Sequence, residues 1–397
     1  MPELDSVRGI AILMVLFFHG FASQHGTGWF GGGIPKFAVN LASIGWMGVN
    51  LFFALSGFLI TGILLDSKPR PGYYKRFYLR RALRILPAYY AILSLILIIG
   101  RTALHEDVSL KFLGLSAVYM ANLTVLFGVP MQYTVLWSLA VEEHFYLIWP
   151  AIVRNFSSRT VGGFAVAIGL AATIARMFAF WGGHYDFDHS HYTWLVADAL
   201  AFGSLLAVLM RRRMGTRTGL MRIVLAALCF AALLVIDKPL GQHWAGGALH
   251  LTALNLTCTA AVAGALLLGT SSWSGLIQVS ILRFFGEISY GLYLIHVLLF
   301  NIFDNWQTWF FPRVTPYYLD FKFMLFRFML CGGFAVLLAF LSRRYFEEPF
   351  LRLKDRLMAP RTFPKSRAED RGSERPQWLE RKAGNPSNFN PKLSGRE

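Results

Sequence analysis

The stretch RGIAILMVLFFH sets Arg8 and His19 at the two ends of ten residues that are nearly all apolar. Arginine offers a planar fork of donors to phosphate oxygens, and histidine is the side chain best poised to accept a proton near neutrality. On an α-helix, eleven residues make three turns plus about 20°, so both groups share one face and stand roughly 16 Å apart. In RRALR, Arg81 and Arg84 lie at i, i+3 and project from neighbouring points of one surface if the segment is helical, again suiting phosphate. In LWSLAVEEHFY, Ser138, Glu142 and Tyr146 recur at i, i+4, i+8, and of the two adjacent glutamates only Glu142 is in phase with that stripe. In ISYGLYLIH, Ser289, Tyr293 and His296 recur at i, i+4, i+7.

The elements that must position these groups are membrane helices. Of 397 residues, 55% are hydrophobic and 15% charged, too apolar for a set of soluble domains. Runs able to cross about 30 Å of hydrocarbon occur near 7 to 23, 44 to 65, 85 to 100, 136 to 153, 161 to 181, 193 to 210, 220 to 236, 251 to 270, 284 to 303 and 323 to 341. An eleventh run, Phe112 to Gly128, is of borderline length. If it spans, RRRMGTR (Arg211 to Arg217) falls opposite the other basic loops; if it is re-entrant or interfacial, 30 of the 38 Lys and Arg lie on one side. That bias selects ten crossings with both termini cytoplasmic. The expected fold is therefore an all-α polytopic membrane bundle of ten transmembrane helices plus one re-entrant or interfacial segment. The membrane domain covers 1–353, and a basic, disordered cytoplasmic tail covers 354–397.

The net charge of +16 is an orientation signal and not a nucleic-acid signal, because 14 of the 38 Lys and Arg fall in the last 56 residues and most others in short loops. Cys229, Cys258 and Cys331 sit in apolar runs without metal-ligand spacing, and the first apolar run lacks a cleavage site, so it is expected to be retained. The NLT triplets at Asn122 and Asn255 lie in apolar runs and are not expected to be glycosylated. HYDFDHSHY (His184 to Tyr192) matches no metal ligand set and reads as a solvated or sugar-contacting loop.

Ionisable residues inside a span mark a functional site by default. His19, Glu142, His296, Asp198 and Arg176 are expected to cluster by depth in the outer half, with Arg80, Arg81 and Arg84 at the inner face. A plainer role stands beside each: a cytoplasmic anchor for RxxR, packing for His19 and His296, an ion pair with Arg176 for Glu142 and Glu143. Gly48, Ala54 and Gly57 are candidates to shape an acyl pocket.

LDSVRGIAILMVLFFH, GVNLFFALSGFLIT, RRALRILPAYY, LWSLAVEEHFYLIWP, ISYGLYLIH and FEEPF, in this order over about residues 4 to 351, resemble the acyltransferase 3 family of bacterial integral membrane acyltransferases. The family's pattern of Arg or Lys, ten residues, then His falls on Arg8 and His19, and its RxxR on Arg81 and Arg84. The resemblance implies a bacterial inner-membrane enzyme. It would move an acyl group, commonly acetyl, from cytoplasmic acyl-CoA to a hydroxyl of a carbohydrate such as lipopolysaccharide, surface polysaccharide or a glycan precursor. No permanently bound cofactor is implied; acyl-CoA is a cosubstrate. Its phosphates would dock on Arg81, Arg84 and Arg8, with the thioester reaching His19 as general base or nucleophile. Glu142 would orient that imidazole, while Ser138, Tyr146, Asp198, Tyr293, His296 and Arg176 would support it or contact the acceptor. The hydrolase-like domain carried by some relatives is not expected here. Two other readings remain open, a transporter or flippase with a proton relay and an acyl-CoA enzyme with a cytoplasmic small-molecule acceptor.

Overall fold

The computed structural model describes residues 1–22, 32–102, 108–183, 189–211, 218–219, 221–222, 224–225, 228–229, 244–269, 271–310 and 320–358. Among them all regular structure is helical. The helices, in chain order, include α1 (Pro2–Phe21), α2 (Gly33–Ser43), α3 (Met47–Ser67), α4 (Tyr73–Thr102), α5 (Leu110–Ala117), α6 (Leu136–Asn155), α7 (Ser158–Trp181), α8 (Thr193–Val196), α9 (Asp198–Met210), α10 (Trp244–Gly269), α11 (Ser274–Ile277), α12 (Ser280–Phe310), α13 (Phe321–Leu341) and α14 (Glu348–Met358). A π-helical turn, Ser342–Glu347, joins the last two. Two compact units are distinguished, Met1–Lys354 and Asp355–Glu397. The second is described only to residue 358: of the tail expected to be disordered from 354, residues 354–358 continue the last helix and 359–397 lie outside the described residues.

In a bilayer the lipid tails are as apolar as leucine, so helices associate through close packing of small residues and through polar pairs. Both devices are present. At the crossing of α3 and α9, a Cβ on Gly57 would collide with the Leu200 carbonyl and one on Gly203 with the Ala54 carbonyl. Gly48 similarly admits the Ala11 backbone of α1. Gly48, Ala54 and Gly57 thus act as helix–helix contacts, and none of them lines the cavity described below. Helix starts follow local chemistry: Ser109 caps α5, Ser157 caps α7 and Asp320 caps α13, each side chain accepting a backbone N–H of the first turn.

Seven helical stretches are long and apolar enough to cross a membrane: 2–21, 33–67, 73–102, 158–181, 247–269, 280–307 and 321–353. The chain is a multi-pass membrane protein. The expected ten crossings are not reached among the described residues, for three reasons. Helix α6 is 20 residues long but carries Glu142, Glu143 and Arg154; α9 has only 13 residues; and most of 220–236 lies outside the described residues. The run 112–128 is not one helix. It breaks into the eight-residue α5 and a 3-10 turn, Ala121–Phe127, and neither is long enough to cross about 30 Å. Conversely α4 is longer than its apolar run suggested, because RRALR continues the same helix across Pro87.

Candidate active site

The ionisable groups expected in one cluster are divided by the structure among three centres. The first is basic. Arg81 on α4 reaches both glutamates of α6, with Nη2 3.9 Å from Glu142 Oε2 and Nε 3.6 Å from Glu143 Oε1. Glu142 was expected on the stripe with Ser138 and Tyr146, and Tyr146 and Ser56 do lie against it; Arg81 also reaches Glu143, the next residue around the helix. The guanidinium also stacks on Tyr146, 3.1 Å from the ring centroid. The Tyr146 and Ser56 hydroxyls are hydrogen-bonded to each other and lie against the Glu142 carboxylate. Arg84, one turn on, is exposed and lies in electrostatic range of Arg8, Arg81 and Arg343. Arg8 itself pairs with Asp5 at 3.1 Å. Arg81 Nε is buried without a hydrogen-bond partner, so its ion pairs are longer than charge-assisted hydrogen bonds of about 2.7–2.9 Å.

The second centre contains His19. Its Nδ1 lies 3.0 Å from the Val15 carbonyl and 3.3 Å from Nε2 of His296, whose own Nδ1 lies 2.9 Å from the Leu292 carbonyl. His296 is fully buried. One turn before it, Tyr293 shares a 2.6 Å hydrogen bond with Ser138 on α6. The backbone just after His19 is anchored by Arg327, which donates to the Gly20 carbonyl at 2.9 Å and to both carboxylate oxygens of Asp304 at 2.5 and 2.6 Å. Glu142 makes its contacts with Arg81, Tyr146 and Ser56, and the ring that faces His19 is that of His296.

The third centre is a buried ion pair. Arg176 on α7 donates to Asp198 at 3.0 and 2.7 Å, to Thr252 at 2.7 Å and to the Leu195 carbonyl. Asp198 therefore takes the place expected for Glu142 and Glu143 as partner of Arg176.

His19 opens on a cavity of about 510 Å3 whose walls also include Trp46, Asn50, Gln132, Trp137, Arg176, His191, Asn255, Tyr293, Asn301 and Arg327. Of the residues expected in the site, His19, Arg176 and Tyr293 line it; Glu142, Ser138, Tyr146, Asp198 and His296 do not. Asn50 donates to Asn255 at 2.6 Å across the cavity lining, and the rings of Trp137 and His191 are 4.4 Å apart. Flat aromatic faces beside amides suit a ligand with apolar ring faces and hydroxyl edges. Asn50, Asn255 and Trp137 carry no unusual spacing, so sequence periodicity does not single them out. Asn255 lies in an NLT triplet but is buried in α10 and hydrogen-bonded, and Asn122 is likewise buried, donating to Thr193 at 2.9 Å. The loop HYDFDHSHY reaches the cavity through Ser190 and His191, while 184–188 lie outside the described residues. No group of His, Cys, Asp or Glu fit to hold a metal occurs among the described residues.

The family model "Acyltransferase domain" matches residues 1–344. The chain is 27% identical over 326 residues to Peptidoglycan O-acetyltransferase OatA of Listeria monocytogenes (strain EGD-e), covering 75% of this chain and 49% of that protein. It is 29% identical over 336 residues to "Putative peptidoglycan O-acetyltransferase YrhL" of Bacillus subtilis (strain 168), covering 75% and 48%. The chain thus spans about half the length of these curated relatives. No solved structure gives a significant match. With the ordered motifs, the all-helical membrane architecture and a family match over 344 of 397 residues, the chain belongs to the acyltransferase 3 family.

Proposed function

We propose that the protein is a membrane O-acyltransferase that moves an acyl group, most simply acetyl, from acyl-CoA to a hydroxyl of a carbohydrate acceptor. The observation that carries this reading is one helix joining two different sites. Arg8 belongs to the basic centre with Arg81 and Arg84, and eleven residues along the same face His19 opens on the amide- and aromatic-lined cavity. A polyanionic nucleotide suits the first end and a polyhydroxyl ring the second. The roughly 16 Å between them is a span for an extended pantetheine arm.

The chemistry follows from the groups present. A sugar hydroxyl is a weak nucleophile at neutral pH and needs a base as it attacks. His19 takes the hydroxyl proton while the oxygen bonds to the thioester carbonyl carbon. The C–S bond then breaks, and the CoA thiolate leaves with the proton returned from His19. Ester and CoA thiol are the products. Tyr293 lines the cavity wall beside His19, its hydroxyl held by Ser138 and by the Val135 carbonyl. Glu142 belongs in this scheme to the donor end, holding Arg81 in place until phosphate oxygens replace the long ion pairs. The K/R distribution supports an orientation with both termini and the basic centre cytoplasmic, and the bacterial relatives support a bacterial cytoplasmic membrane. Names of relatives make a peptidoglycan hydroxyl one candidate acceptor.

Purified protein in sealed vesicles of known orientation, given acetyl-CoA and candidate glycans, tests this. Acceptor-dependent release of CoA is expected. Movement of a glycan across the vesicle without CoA release would replace this reading by a transporter, and release driven only by small cytoplasmic alcohols would replace the carbohydrate acceptor.

A further inference from the structure

A general base must present its lone pair from one nitrogen and hold its ring still while charge forms on it. We propose that His296 is the positioning residue for His19, sharing with the Val15 carbonyl the hydrogen bond from its Nδ1–H, so that Nε2 keeps the lone pair and the imidazolium is held by a neutral histidine. This rests on the reading of His19 as the base.

The tautomers follow from the partners. Carbonyl oxygens only accept, so the nitrogen facing each carbonyl must carry a proton. On His296 that nitrogen is Nδ1, 2.9 Å from the Leu292 carbonyl. A second proton would charge a ring with no exposed surface, at a cost its surroundings do not offset. Nε2 of His296 is therefore a lone pair, and it points at His19 Nδ1 from 3.3 Å. On His19 the same logic puts a proton on Nδ1, 3.0 Å from the Val15 carbonyl and shared with His296. The rings meet edge to face, with centroids 4.9 Å apart and planes at 74°. When Nε2 of His19 takes the hydroxyl proton, the bond from Nδ1 to His296 becomes charge-assisted and roughly twice as strong. This is the division of labour of a hydrolase triad, with a neutral imidazole in place of the carboxylate, whose charge is costly at membrane depth.

His296 is itself held from outside its helix. The Tyr133 hydroxyl donates to the Leu294 carbonyl at 2.8 Å and accepts from the Leu298 N–H at 3.1 Å. Those are the two groups an uninterrupted helix pairs at i and i+4. The two contacts bracket His296 in sequence, so Tyr133 ties the turn that bears it to the segment before α6.

The test compares His296→Phe, His296→Gln and Tyr133→Phe by kcat and by KM for acetyl-CoA in the vesicle assay. H296F keeps the packing and removes the acceptor; kcat should fall about 100-fold while KM for acetyl-CoA stays within about twofold. H296Q can place its amide oxygen near the Nε2 position and should recover about tenfold over H296F. Y133F, which leaves His19 and His296 intact, should lower kcat about tenfold. Wild-type kcat in H296F, or H296Q no faster than H296F with both variants folded, overturns the proposal; His296 would then only pack. If H296F does not fold, His296→Leu takes its place. His19→Ala separates the two layers: an active H19A sinks the base assignment itself, while an inactive H19A beside an active H296F sinks the pair alone.

Discussion

The Arg81 guanidinium stands 3.1 Å from the centroid of the Tyr146 ring, stacked there while its nitrogens stay 3.6 Å or more from the Glu142 and Glu143 carboxylates. A cation so held is supported by π-stacking, yet its hydrogen-bonding edge is not saturated. That is a useful resting state for a phosphate ligand, since exchanging two long ion pairs for short charge-assisted bonds is favourable.

Two roles of Arg81 can be separated by experiment. Arg81→Ala should weaken acetyl-CoA binding at least about tenfold and cost about 2–3 kcal/mol of stability, because two neighbouring carboxylates lose their cation. Adding Glu142→Gln and Glu143→Gln should restore the stability but not the affinity. Arg84→Ala removes one cation from among the like charges of Arg8, Arg81 and Arg343, so it should weaken binding with little loss of stability. Calorimetric titration with acetyl-CoA and thermal unfolding in detergent read the two quantities; unchanged affinity in R84A counts against the phosphate site.

Arg176 and Asp198 are 1% and 0% exposed. Removing one partner from such a pair leaves an uncompensated buried charge, at about 3–5 kcal/mol. Arg176→Met should therefore lower the unfolding temperature sharply, and Arg176→Met with Asp198→Leu should recover much of it. A single variant as stable as wild type in detergent would show that the pair does not brace α7 against α9.

His19→Ala should reduce acceptor-dependent CoA release to background while the protein still reaches the membrane and elutes as wild type. The Arg327 bonds to Gly20 and Asp304 are independent of the imidazole, so the end of α1 stays anchored. Retained turnover would remove His19 from the chemistry.

Asn255→Leu breaks the 2.6 Å hydrogen bond from Asn50 in the cavity wall. A bound hydroxyl would lose a partner and Asn50 would be left unpaired, so KM for the acceptor should rise about tenfold while acetyl-CoA affinity is unchanged. Kinetics with the acceptor varied at fixed donor measure this, and an equal loss of donor affinity would place the effect in the fold.

How legible the site is depends on the distance over which a contact is made. Arg8 and His19 share a face because both sit on one helix, and RRALR is helical as its i, i+3 spacing requires. The stripe of Ser138, Glu142 and Tyr146 is likewise a property of α6 alone. What the stripe meets is another matter. Ser138 meets Tyr293, Tyr146 meets Ser56 and Arg81, and Glu142 meets Arg81.

Hydropathy and helical periodicity, which are local, determine by themselves that the chain is a membrane helix bundle and which side chains share a helical face. The partners are decided only by tertiary structure. His19 meets His296 across 277 positions, Arg176 chooses Asp198 over the glutamates, and Asn50 finds Asn255. Periodicity specifies an angle around each helix axis, but not the rotation and depth at which two helices settle. Those are set by where glycines such as Gly57 and Gly203 let backbones touch and by which buried charges can be paired.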